Sequence, residues 1–199
     1  MSASRNCFPR ELSEKRTANI LAETEKLGLK IIRPEGRCAI IESKADALEA
    51  AAGLLEKGCD AAVLYLGNFS PEIEDANFVK AFGRPILAIA AAEEGAESVS
   101  SARGDALCGL MSATLAIAKR GLSPKVVIPH VSAREGAEEI LRFSKIVKVV
   151  KGISNATIGL FGPWPRDFES CNYNVASLAS IGVEVEEFGL FDLENEIAK

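Results

Sequence analysis

A single histidine, a single tryptophan and five scattered cysteines in 199 residues exclude several chemistries at once. Cys7, Cys38, Cys59, Cys108 and Cys171 are odd in number and form no C-x-x-C pair. A zinc site or disulfide framework needs closer or paired spacing, so free thiols in a reducing compartment are expected. Long apolar runs are also missing; none reaches the roughly 20 residues of a membrane span. The start, Met1 to Asn6, has no hydrophobic secretory core, and a cytoplasmic protein without membrane attachment is expected. Positive charge is in short supply: 23 Lys and Arg face 28 Asp and Glu, for a net charge of −5. A general nucleic-acid surface needs clustered cations and is not expected. Neither a Walker A pattern nor G-x-G-x-x-G is present, which leaves a phosphate-cradling loop unsupported. The G-x-S-x-G nucleophile elbow is absent too.

What the chain does have is a rhythm of apolar strands, short polar loops and helices. Asp60–Leu66 runs into Gly67-Asn68-Phe69-Ser70-Pro71, Lys125–Ile128 into Pro129-His130-Val131-Ser132, and Thr157–Phe161 into a loop ending at Phe168. Nearly all-apolar strands fit a parallel sheet covered on both faces. The fold class expected is therefore α/β: a flavodoxin/Rossmann-like three-layer α/β/α domain, plus the opening β-α-β unit of a second α/β domain. The domains are expected at 1–152 and 153–199, with the first strand of the first domain apparently missing, since the chain starts with a loop and helix. Such a chain reads as a piece of something longer.

Within this frame, Leu12, Ile20 and Leu27 suggest a helix from Pro9 to Gly28, and Leu29–Ile32 a short strand. Ser43 caps a helix to Lys57, Ser70-Pro71 opens one that Gly83 ends, and Pro85–Ala90 is a strand. Glu93–Arg103 reads as a long loop, and Asp105–Arg120 as a helix. Ser132-x-x-Glu135 is a capping box for a helix to about Val150. Glu169–Ser180, Val183–Phe188 and Asp192–Lys199 complete the expected helix, strand and helical tail.

Ligands of open α/β sheets bind at the carboxyl ends of the strands, which singles out the loops there. His130 is either a contact in such a site or a polar loop residue supporting one. Arg5 and Asn6 either bind a hydroxyl-rich or anionic ligand or belong to a frayed terminus. The amide of Asn68 offers a donor and an acceptor, but Asn is also a common turn residue. Trp164, Arg166 and Phe168 supply aromatic faces and a fixed charge suited to a sugar ring, or else, with Pro163 and Pro165, form a rigid corner. Cys108 is expected to be a packed thiol with no base beside it.

Taken in order, these loops resemble the N-terminal half of the L-fucose/L-arabinose isomerase superfamily, in its L-fucose isomerase-like branch. The matching pieces are Arg5-Asn6-Cys7-Phe8-Pro9, Leu66-Gly67-Asn68-Phe69, Gly104 to Gly109, Pro129-His130, Val150 to Gly152, and Ile158 to Pro165 with Phe168. The resemblance implies a metal-dependent aldose–ketose isomerase working through an enediol, with Mn²⁺ in the full-length family and a homo-oligomer with sites between subunits. It places the metal-binding carboxylates and histidine in later domains, so no catalytic residue and no metal ligand is expected in this chain. Arg5, Asn68 and His130 are implied as contacts to the sugar, with the loop of Trp164, Arg166 and Phe168 lining the site. A departure is Trp164, where the branch usually has Arg before Pro. The alternative is a stand-alone sugar-binding module without catalysis.

Overall fold

A computed structural model of the chain describes residues 1–5, 7–95, 103–164 and 166–199. Asn6, Pro165 and most of the expected Glu93–Arg103 loop lie outside the described residues. The chain divides into two compact units, Met1–Lys145 and Ile146–Lys199. The division falls inside the helix Ala133–Ile153, near whose end the boundary at 152/153 was expected.

The first unit is built on a five-stranded parallel sheet of order β2-β1-β3-β4-β5. Its strands are β1 (Ser2–Ala3), β2 (Ile40–Ile41), β3 (Ala62–Leu66), β4 (Ile86–Ala91) and β5 (Val126–Val131). The helices are α1 (Arg10–Lys26), α2 (Lys44–Glu56), α3 (Glu72–Phe82), α4 (Ala106–Ala118) and α5 (Ala133–Ile153). Helices α2, α3 and α4 pack side by side on one face. On the other, α1 meets α5 so closely that a Cβ on Gly136 would lie 2.7 Å from the Ile20 side chain. This is the three-layer α/β/α arrangement, with Leu64, Leu66, Ile86, Leu87 and Ile89 of the sheet and Phe78, Phe82 and Ile117 of the helices all buried. Each such side chain contributes about 1.5–3 kcal/mol through burial.

The first strand, expected to be missing, is present and central. Ser2 pairs with Ile40 on one side and Tyr65 on the other, and Ala3 with Ile41 and Leu66. It escapes sequence reading because it is two residues long and made of small side chains. Its cover is equally unusual. Instead of Leu12 and Leu27, α1 buries Ser13, Arg16, Thr17, Ile20 and Thr24. Ser2 and Thr17 share a hydroxyl hydrogen bond of 2.7 Å, and the Ser13 hydroxyl donates to the Ala3 carbonyl at 3.1 Å. A hydroxyl-lined seam satisfies its own polar groups, so it can be buried without apolar residues.

Two more strands differ from expectation. Leu29–Ile32 forms no strand, and Ile31 and Ile32 are exposed; the buried pair Ile40-Ile41 takes the place in the sheet. Strand β5 runs on through Pro129 and His130 to Val131, with a register shift against β4 between Ile89 and Ala91. Proline is tolerated there because β5 is an edge strand and a missing N–H breaks no ladder. The expected caps do form. Ser43 and Asp46 make a reciprocal capping box on α2. Ser132 and Glu135 exchange the same bonds at the start of α5. Gly83 ends α3 in the left-handed conformation, φ 62°.

The second unit pairs β6 (Thr157–Phe161) with β7 (Glu184–Phe188) in parallel. Phe161 and Phe188 stack with ring centroids 5.0 Å apart. The helix expected over Glu169–Ser180 is instead a 3₁₀ turn, Glu169–Cys171, followed by α6 (Val175–Ser180). Asn174 caps α6 by accepting from the amides of Ala176 and Ser177, and this side-chain bond competes with a continuous helix. The tail forms α7 (Leu190–Ile197). Among the described residues of this unit only Val183 is fully buried. No described helix is long and apolar enough to cross a membrane.

Candidate functional site

In a sheet of order β2-β1-β3-β4-β5, α1 and α3 leave neighbouring strands toward opposite faces, and a crevice opens at the carboxyl ends of β1 and β3. Two segments line it: Ser4, Arg5 and Cys7 to Pro9 after β1, and Gly67 to Pro71 after β3. Phe69 is half-buried, and its ring stacks on Phe8 with centroids 5.7 Å apart. The Arg5 guanidinium lies over the same ring, 4.5 Å from its centroid, and reaches Glu72 at 4.0 Å. Arg5 thus sits at the crevice with part of its donor fork turned outward.

Asn68, expected among the sugar contacts, is fully buried. Its amide nitrogen donates to the Ser4 hydroxyl at 2.8 Å and the Pro9 carbonyl at 3.2 Å. The residue ties the two loops together from beneath and leaves Phe69 as the side chain presented. Close packing fixes the loop from both sides. A Cβ on Gly67 would fall 2.6 Å from Ser13 of α1, and one on Gly109 of α4 would fall 3.0 Å from the Phe69 Cα. Only glycine permits that approach.

The residue that organises this edge is Arg16, which sequence reading missed because a charged side chain on a helix is usually solvated. It is buried. Its Nη1 donates to the Gly67 carbonyl at 2.7 Å, its Nη2 to Glu93 at 2.7 Å and to Glu94, and its Nε to Glu94 at 3.0 Å. Burial alone would weaken its charge, but the hydrogen bonds to Glu94 and Glu93 outweigh that and raise its pKa further. Both glutamates are held below the usual carboxylate range; burial opposes this for Glu93, and the Arg16 bonds prevail. Glu93 also accepts from the Gly104 amide at 3.2 Å, and its own amide donates to His130 Nε2 at 3.3 Å. The chain of contacts Gly67–Arg16–Glu93–His130 therefore links the ends of β3, β4 and β5.

His130 and the Asn68 loop share the carboxyl edge of the sheet. Beside them Arg16, Tyr65, Glu93, Glu94 and Ser132 line a cleft of about 200 Å³. Whole-ligand pockets usually span roughly 300–1,000 Å³, so this one takes part of a ligand at most. In the second unit, Trp164 tilts against Tyr173 with centroids 5.5 Å apart, and Phe168 and Arg166 are exposed. Cys108 is exposed rather than packed, because it lies on the outward face of α4. Among the described residues no three His, Cys, Asp or Glu side chains come together as a metal-holding group.

The strand order and the crevice define a flavodoxin-like α/β domain with its candidate site at the topological switch point. The family described as "Fucose/sulfoquinovose isomerase, N-terminal domain" matches residues 1–154, and the chain belongs to that family. No individual curated protein matches it.

Proposed function

We propose that this chain is the sugar-contacting N-terminal part of an aldose–ketose isomerase and carries no catalytic centre of its own. The observation that supports the reading is the family match over residues 1–154, joined to a crevice in which Arg5 and Phe69 offer donors and a ring face. A guanidinium fork donates to adjacent hydroxyls, and an aromatic face suits the C–H side of a sugar. In this reading Arg5 and His130 touch the sugar, while Asn68 positions the loop from below. Trp164, Arg166 and Phe168 are proposed as a further set of contacts from the second unit.

Isomerisation moves a proton between adjacent carbons, which needs a positioned base and an electrophile for the developing oxyanion. Here Glu93 and Glu94 are engaged by Arg16, and His130 already accepts an amide hydrogen. Base, metal and the rest of the sugar pocket are proposed to come from further domains, with Mn²⁺ bound there. The second unit is read as the opening of the next α/β domain, and the assembly as a cytoplasmic homo-oligomer. The test is an assay of the isolated protein with L-fucose and Mn²⁺, beside a sugar titration followed by NMR. Expected are no turnover and shifts at Arg5 and Phe69. Turnover above background would overturn the division of labour, and unmoved loop resonances would overturn the sugar contact.

A further inference from the structure

Beneath the same loop lies a group that this reading leaves unused. Asp75, in the first turn of α3, is fully buried. Its Oδ2 accepts the Ser70 hydroxyl, while its Oδ1 has no hydrogen-bond partner among the described residues. A buried carboxylate oxygen without a donor is far costlier than a neutral carbonyl oxygen in the same place. The geometry therefore accommodates the neutral acid. Burial pushes the pKa up to about 7, against the opposing pulls of the Ser70 bond and Arg5, with Glu74 and Glu72 adding to the rise.

The charges that bear on Asp75 come from few places. Arg5 acts on it through its charge from the segment after β1, and Glu72 and Glu74 belong to its own helix. Of the two helices packed on α3, α4 buries only uncharged residues. In α2 the buried Asp46 is engaged by Arg37 and by the Ser43 hydroxyl. Among the described residues, Arg5 is the cation whose charge pulls on Asp75. Its present holds are an exposed pair with Glu72 and a seat on the Phe69 ring, both weak for partly solvated groups.

We infer that Asp75 is a proton-operated latch on the Gly67–Pro71 loop, sealed beneath it with Ser70 when neutral and drawing Arg5 off Phe69 when ionised. The proton leaves to solvent, the empty Oδ1 gains a charged donor, and the crevice loses the outward guanidinium. The device works in the protein without sugar, so its test is separate from that of the sugar reading.

The experiment is an NMR pH titration of the ¹⁵N-labelled full chain between about pH 5 and 9, a window centred on the Asp75 value. Expected is one step shared by Arg5 Nε and the Phe69 and Ser70 amides, with its midpoint near 7. Asp75→Asn abolishes the step. His130→Asn leaves it in place. Ser70→Ala removes a bond that favours the charged form and moves the midpoint up by roughly 1 unit, a reading that stands even if Asp75→Asn fails to fold. A wild type without a step overturns the latch. So does a step that survives Asp75→Asn or vanishes in His130→Asn, a Ser70 step that Arg5 does not share, or an unmoved midpoint in Ser70→Ala.

Discussion

Arg16 and Asp75 are both buried and ionisable beside the crevice, and they respond to substitution differently. Arg16→Met keeps the volume but strips Glu93 and Glu94 of their partner and frees the Gly67 carbonyl. Breaking a buried pair from one side costs about 3–5 kcal/mol. Here the glutamates are partly solvated, so a loss of about 2–3 kcal/mol is expected in urea unfolding. Asp75 acts through pH instead. Its pKa is raised in the fold from 3.8 to about 7, so the unfolded chain releases the proton first as pH rises. The stability it contributes is whole below pH about 4, falls as pH rises to about 7, and is flat above that. Glu93, Glu94 and Asp46 have lowered values and act in the opposite sense, losing stability only as pH drops through the acid range. Asp75→Asn should therefore be more stable than wild type at pH 8 and lose most of that advantage at pH 5. Unfolding midpoints at the two pH values check this, and an equal difference at both would contradict it.

At the scale of elements, two glycines in helices make opposite predictions. Gly109 sits in the first turn of α4, where an added Cβ would meet the Phe69 Cα at 3.0 Å and the Ser70 amide at 3.1 Å. Backbone cannot step aside, so Gly109→Ala should cost about 1–3 kcal/mol and disturb the loop. Gly53, inside α2, has nothing within 4 Å of that position, and Gly53→Ala should stabilise by about 0.5–1 kcal/mol. Thermal unfolding of both variants tests the contrast. These elements differ in how far the sequence announces them. Strands β3 and β4, the cap at Ser43, the capping box at Ser132 and the stop at Gly83 follow from local chemistry and were readable. Ser2-Ala3 and the Ser-Thr face of α1 were not, because their burial depends on each other. The carboxyl-edge loops could be named in advance, and so could Arg5. That Asn68 turns inward and that Arg16 ties the ends of β3 and β4 depends on contacts across 51 to 78 residues of chain, beyond any local pattern.

For the whole molecule, the two units have unequal means of standing alone. In Ile146–Lys199, Phe161, Phe168, Phe191 and Ile197 are all more than half exposed, and a two-stranded sheet is marginal in water. A peptide of residues 146–199 should show no cooperative unfolding by circular dichroism. In the first unit, Leu107, Met111 and Leu115 form an exposed apolar stripe along α4. Such a stripe favours self-association. Sedimentation at micromolar concentration should give a dimer or larger species, and a clean monomer would count against the oligomer. One feature of the sheet reaches further. Strand β2 is joined to the rest only through β1, two residue pairs on either side, whereas β3 and β4 share five. The sheet thus has a built-in perforation, and slow opening events should run along it. Amide hydrogens at Ile40 and Ile41 should exchange with deuterated water well before those of Leu87 and Ile89, marking β2 as the part of the first unit that comes away first.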